Sequence, residues 1–187
     1  IWLATVASPL VRPLAFPKAE PTSRWWPRLV GVWGIFWVTG LLTGHLVHLG
    51  VSHTLLNLAG LIRVWFLVGR AYAWQQWLWV MAGSIAAIDL GLWFGAPSLE
   101  WYVGLSGLLH GMLAAGIVAG LAGRSAETLL LAVVVAGKLA WEQFAGPLPG
   151  SETTSGGAVI VDAHLYGVIG GTLVALVLIR VRRGAPI

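Results

Sequence analysis

The chain of 187 residues has no cysteine, so neither a disulfide framework nor thiolate chemistry is open to it, and its redox compartment is left open. Charge is nearly as scarce. Asp, Glu, Lys and Arg supply 10% of the residues, against roughly a quarter in a soluble globular domain. What is present instead is apolar bulk, with 58% hydrophobic residues and a mean hydropathy of +0.84. These values exclude an ordinary soluble domain and identify an integral membrane protein. The net charge of +4 does not indicate a nucleic-acid partner, because the basic residues are scattered among apolar runs and form no phosphate-tracking stripe. They serve better as topology signals. The chain opens on Ile1 rather than Met, so the expectation is that native N-terminal residues are missing, and a cleavable signal peptide is left open.

A helix needs about 20 mostly apolar residues to span a bilayer. Five such segments follow Val51, running from about Ser52 to Val68, Trp74 to Phe94, Tyr102 to Leu121, Ala126 to Ala145 and Ala158 to Val181. Short links separate them ("GRAY", "GAPSLE", "GRSAE" and "GPLPGSETTSGG"), and there is no internal repeat and no room for a soluble domain. Arg70, Arg124 and the tail residues Arg180, Arg182 and Arg183 fall at alternate ends, whereas the other two links carry Glu100 and Glu152 and no base. Cytoplasmic loops collect Lys and Arg, so the C-terminus is expected in the cytoplasm. His53, Ser106 and His164 then lie toward the outer ends of their spans. Before Val51 two segments compete as the first span. Leu29 to Val47 obeys the charge rule with Arg12, Lys18, Arg24 and Arg28 before it, while Ile1 to Phe16 is interrupted by Pro9, Arg12 and Pro13. Several of the twelve Trp, among them Trp25, Trp26, Trp74, Trp77 and Trp101, suit interfacial belts.

Chemistry enters at "YVGLSGLLHG", Tyr102 to Gly111. At 1.5 Å per residue, Ser106 lies roughly 6 Å in from Tyr102 and His164 roughly 9 Å in from Ala158, so the two can be level. Each begins a stripe of small residues spaced by four: Gly107, Gly111 and Ala115 in one span, Ala163, Gly167 and Gly171 in the other. Such stripes let helix backbones approach closely in lipid. One stripe alone is ordinary packing, and a lone membrane serine usually bonds back to a carbonyl. Two stripes beside a hydroxyl and an imidazole at matching depth point to an activated nucleophile, with His164 taking and later returning the Ser106 proton. Acyl transfer also needs an oxyanion site. In "HTLLN", His53 and Asn57 are four apart on one helix face and can join the Ser106 backbone N–H as donors.

"GLSG", "HTLLN" and "AHLYG" resemble the GxSG, HxxxN and AHxxG elements of the rhomboid intramembrane serine proteases. The wording of "LTGHLVHLGVSHTLLNLAGL", "YVGLSGLLHG", "KLAWEQ" and "VDAHLYG" is similar to the rhombosortase branch. The likeness covers about Thr39 to Gly171, in order. It implies an all-α membrane protein with a six-transmembrane-helix rhomboid-like bundle, in one domain over 1–187. Residues 1–50 would hold the remnant of the first helix (Ile1 to Phe16) and a membrane-associated loop, and 51–183 the five-helix segment with the motifs. This places Lys18, Arg24 and Arg28 outside, against the charge rule. The resemblance implies Ser106 as nucleophile, His164 as general base and acid, and His53, Asn57 and Ser106 as the oxyanion hole. Gly104, Gly107, Gly111, Ala163, Gly167 and Gly171 are the motif and close-packing positions. It implies a dyad with no third carboxylate, no cofactor and no metal.

The implied reaction is peptide-bond hydrolysis near the outer face, with a membrane-anchored protein as substrate and the bilayer as surroundings. The branch further implies a bacterial inner membrane and substrates with C-terminal Gly-Gly-type anchor tails. Other polar residues receive structural readings. His110, a turn below Ser106, is expected to make a buried hydrogen bond rather than act as a second base. His45, His48 and His53 lack an accompanying carboxylate for a metal. Lys138 and Glu142, at i and i+4, are expected to form a packing salt bridge. Asp162 is a rim residue, and Arg63 and Asp89 have no evident partner. The alternatives are a catalytically silent rhomboid-like protein and a structural subunit binding haem or a chlorophyll-type pigment through its histidines.

Overall fold

The computed structural model describes residues 43–99 and 101–184. All regular structure among them is helical. Five helices are long and apolar enough to cross a membrane: α1 (Val51–Val68), α2 (Trp74–Gly95), α3 (Ser106–Gly120), α4 (Ala126–Ala145) and α6 (Val161–Gly184). A short helix, α5 (Ser151–Ser155), lies in the last link. The expected first span over Ile1 to Phe16, its rival's residues up to Leu42, and most of the N-terminal loop lie outside the described residues.

Large apolar side chains face outward, including Phe66 at 90% and Phe144 at 93% exposure. Water would not tolerate so broad an apolar surface, and lipid does. The polypeptide is a multi-pass membrane protein.

Two boundaries differ from the sequence expectation. Helix α3 begins at Ser106 rather than Tyr102, because Gly104 takes φ 125, a left-handed value open to glycine and incompatible with a continuous helix. Helix α6 begins at Val161 rather than Ala158, because the chain leaves α5 through Gly156 at φ 81 and runs irregularly to Ile160. Both spans therefore start closer to Ser106 and His164. Ser106 is the first residue of α3, and His164 sits in the first turn of α6.

Helix α3 is the buried centre, with Leu108, Leu109, Met112, Ala114 and Ala115 all inside. A helix apolar all round belongs in such a position. It runs parallel to α6 at a constant offset. A Cβ on Gly107 would stand 2.8 Å from the Ala163 carbonyl oxygen, and one on Gly111 2.6 Å from the Gly167 carbonyl oxygen. The two small-residue stripes thus face each other backbone to backbone. Helix α2 closes the other side antiparallel to α6, where a Cβ on Gly170 would meet Ala87 at 2.7 Å and one on Gly91 would enter the Tyr166 ring. At the opposite end Arg182 of α6 reaches Gln76 of α2 (Nη2 to Oε1, 2.5 Å). The parallel α3–α6 pairing brings two helix starts, and the residues they carry, to the same end of the bundle.

Candidate active site

The "GLSG" turn is held from both sides before α3 begins. Gly104 N–H donates to the Gly44 carbonyl at 3.1 Å, and the Tyr102 hydroxyl donates to the Gly104 carbonyl at 3.0 Å. A Cβ on Gly104 would approach the His53 ring at 3.1 Å, so the left-handed glycine also admits that imidazole. Burial pushes the Tyr102 phenol up to about 12, so it remains a neutral donor. Behind it His45, fully buried, packs edge-on against the Tyr102 ring at 5.3 Å and bonds Asp89 through Nε2 at 3.1 Å. Asp89 therefore has a partner that spacing along the chain did not reveal.

Ser106 projects from this turn, and its Oγ lies 2.9 Å from Nε2 of His164. His164 is 4% exposed. The pairing follows from the parallel helix register, since the same offset that stacks Gly107 on Ala163 brings the preceding serine beside the following histidine. Being first in its helix, Ser106 has a backbone N–H without an intrahelical acceptor. Its N–H and those following form the positive end of α3.

His53 and Asn57 line the same cavity as Ser106, which has a volume of about 560 Å³. Leu49 N–H donates to His53 Nδ1 at 3.3 Å, which leaves the proton of a neutral imidazole on Nε2. Asn57 is buried and spends one amide hydrogen on the His53 carbonyl at 3.2 Å, keeping the other. Helix α5 and the residues around it border the cavity through Leu148, Gly150, Ser151 and Thr154. The link read as a plain Gly/Pro-rich loop is in fact locally ordered: the Ser155 hydroxyl donates to the Gly157 carbonyl at 2.9 Å, and Val159 N–H to Glu152 Oε1 at 3.4 Å.

His110 lies as its spacing predicts, one turn along α3. Its Nδ1–H donates to the Ser106 carbonyl at 2.7 Å, and its ring stacks on His164 with centroids 4.2 Å apart and planes 20° apart. His45, His48 and His53 do not converge, since His45 is turned to Asp89 and the His48 and His53 rings meet edge-on at 5.0 Å.

Lys138 and Glu142 form the expected i, i+4 ion pair, with Nζ to Oε2 at 2.6 Å. The expected pair has a second contact that the sequence reading did not include. The same Oε2 is 2.9 Å from His164 Nδ1, and Glu142 is 3% exposed. A carboxylate absent from the expected dyad therefore stands against its histidine. The signal was available: Glu142 is three residues from the C-terminal end of α4, about 4.5 Å, level with Ser106 and His164. His110, Glu142 and His164 also offer three potential metal-ligand atoms within 4.8 Å. His110 Nδ1 is spent on the Ser106 carbonyl, and Glu142 Oε2 is already engaged by Lys138 and His164. The arrangement suits hydrogen bonding better than coordination. Asp162, in the first turn of α6, is partly exposed, and Arg63 is exposed on α1.

The family profile described as Rhomboid domain matches residues 34–181. No curated protein and no solved structure matches the chain.

Proposed function

The chain belongs to the rhomboid family, a family generally of intramembrane serine proteases, and on that premise we propose that it hydrolyses a peptide bond of a membrane-anchored protein by a Ser106–His164 dyad. The observation that carries the reading is the 2.9 Å Oγ to Nε2 contact at the wall of a cavity, at the shared end of two parallel helices. Ser106 Oγ attacks the substrate carbonyl as its proton passes to His164 Nε2. The resulting oxyanion is met by the Ser106 N–H, the second Asn57 amide hydrogen and His53 Nε2–H. Collapse breaks the C–N bond, and the departing amine takes the proton from His164. Water then attacks the acyl-enzyme with the same imidazole as base.

The charge pattern of the links supports an outward-facing site with the C-terminus in the cytoplasm. The "TGHLVHL", "KLAWEQ" and "VDAHLYG" wording supports a rhombosortase-like enzyme of a bacterial inner membrane, acting near the glycines of C-terminal Gly-Gly-type anchor tails. The α5 link bordering the cavity is the element that moves to admit a substrate strand. Stapling it to a neighbouring helix slows cleavage on this reading, and an unchanged rate counts against that role.

The direct test is covalent labelling of the solubilised protein with a fluorophosphonate probe. Labelling of wild type and its loss in both Ser106→Ala and His164→Ala is the expected result. A folded wild type that stays unlabelled would move the catalytically silent alternative forward.

A further inference from the structure

The dyad mechanism uses only Nε2 of His164, yet the structure occupies both ring nitrogens. At Nδ1 two groups of opposite character compete. Glu142 Oε2, an acceptor, stands at 2.9 Å, and Lys138 Nζ, a donor, at 3.5 Å. They demand opposite tautomers. If Nδ1 accepts from Lys138, the ring proton is on Nε2, which then faces the Ser106 hydroxyl as a donor and cannot act as its base. If Nδ1 donates to Glu142, the Nε2 lone pair faces Ser106. The shorter contact is the one to the acceptor.

Resting on the protease reading above, we propose that Glu142 is a positioning residue that makes the site a Ser106–His164–Glu142 triad, and that Lys138 keeps it charged without taking its place. A carboxylate sealed among membrane helices is costly unless paired. Lys138 supplies the pairing at 2.6 Å while its own side chain stays 28% exposed, which leaves the Glu142 acceptor for the imidazole. From α3 the ring faces Ser106 and the stacked His110, and from α4 Lys138 and Glu142; Glu142 is the one anion in this set. When the Ser106 proton reaches Nε2, the ring becomes an imidazolium with Nδ1–H directed at Glu142. The carboxylate stabilises that cation and holds its plane without accepting the proton, which leaves from Nε2 with the amine. The i, i+4 pair thus has a function beyond packing.

The test measures fluorophosphonate labelling rates of the full chain in detergent across pH, with folding checked by thermal unfolding, for wild type, Ser106→Ala, Glu142→Gln, Lys138→Met and the Lys138→Met/Glu142→Gln double variant. A triad carboxylate predicts a loss of about 10⁴-fold in Glu142→Gln, where Lys138 is left to capture Nδ1. Lys138→Met should lose under about tenfold, and the double variant should recover to a loss of about 10²-fold because the competing donor is gone. The pH profile of the rate should also change in the double variant, since the imidazolium has lost the anion that faces it. A pair that only packs predicts equal losses in Glu142→Gln and Lys138→Met that follow the folded fraction, with an unmoved pH profile, and that result overturns the proposal. If Glu142→Gln does not fold, the double variant carries no orphaned cation and is compared with Lys138→Met: a clear further loss supports the triad, and equal rates overturn it. A blank wild type would take down the protease reading together with this one. Labelling that needs Ser106 but ignores Glu142 would remove the triad alone.

Discussion

The two sides of the bundle are built to different standards of packing. Along α3 and α6 glycines face carbonyl oxygens so closely that no side chain fits, and 50% of the apolar window of Ser106–Gly123 is buried. On α4 only 11% of the corresponding window is buried, and a Cβ added at its Gly137 would touch nothing within 4 Å. The tight side fixes the positions of Ser106 and His164 to within a hydrogen bond. The open side, α1 and α4 with the α5 link, borders the cavity and presents His53, Asn57, Lys138 and Glu142 to that fixed pair. On the proposed protease reading, Ser106 and His164 gain from rigidity, whereas a site that must admit a peptide needs a flank that can part.

The largest effect belongs to the tight side. Ser106→Ala and His164→Ala should each lower kcat on the order of 10⁶-fold; Ser106→Ala should leave the thermal unfolding profile nearly intact, whereas His164→Ala should also lower it, since it removes a buried ring that stacks on His110 and bonds Glu142. Measured peptide cleavage that survived either change at more than a small fraction would mean that another group supplies the nucleophile or base. On the open side, Asn57→Ala should cost about 10² to 10³ in kcat, the loss typical of one oxyanion donor, with KM little changed. A change confined to KM would instead assign Asn57 to shaping the cavity.

How much of this was legible in sequence divides along the same line. The five spans, the two small-residue stripes and the level placement of Ser106 and His164 follow from periodicity and helix rise, which are local properties, and the structure shows all of them. The start of α3 was not legible, because the backbone at Gly104 is set by Gly44, Tyr102 and His53, which lie far off in the chain or across the turn. The partnership of Asp89 with His45 joins residues 44 apart and had no spacing signal. Glu142 is an intermediate case: its pairing with Lys138 was readable from i, i+4 spacing, but that explanation satisfied the charge and hid the second contact with His164.

The packing contrast itself can be broken with glycines. Gly111→Val places methyls against the Gly167 carbonyl and the Ser84 side chain, so thermal unfolding in detergent should register a loss of about 1–3 kcal/mol together with slower probe labelling as Ser106 and His164 are pushed apart. Gly137→Ala on α4 enters open space and should leave stability unchanged or raise it by up to about 1 kcal/mol through helix propensity. Equal losses at the two positions would refute the division into a tight and an open side.

The smallest effect tests the strut beneath Ser106. With its phenol raised by burial to about 12, Tyr102 ionises less readily in the folded chain than in the unfolded one, where the value is about 10. Its contribution is therefore fully present below pH 10 and is lost as pH rises toward 12, at a slope of about 1.4 kcal/mol per pH unit. Tyr102→Phe removes both this dependence and the bond to the Gly104 carbonyl at 3.0 Å, a bond worth about 1 kcal/mol. Wild type should accordingly be the more stable by about 1 kcal/mol at pH 9, and the order should reverse near pH 11, where ionisation costs it about 1.4 kcal/mol. Parallel unfolding curves for the two proteins from pH 9 to 11 would mean that Tyr102 is solvated, and the rigidity of the GLSG turn would then have to come from the Gly44–Gly104 backbone bond alone.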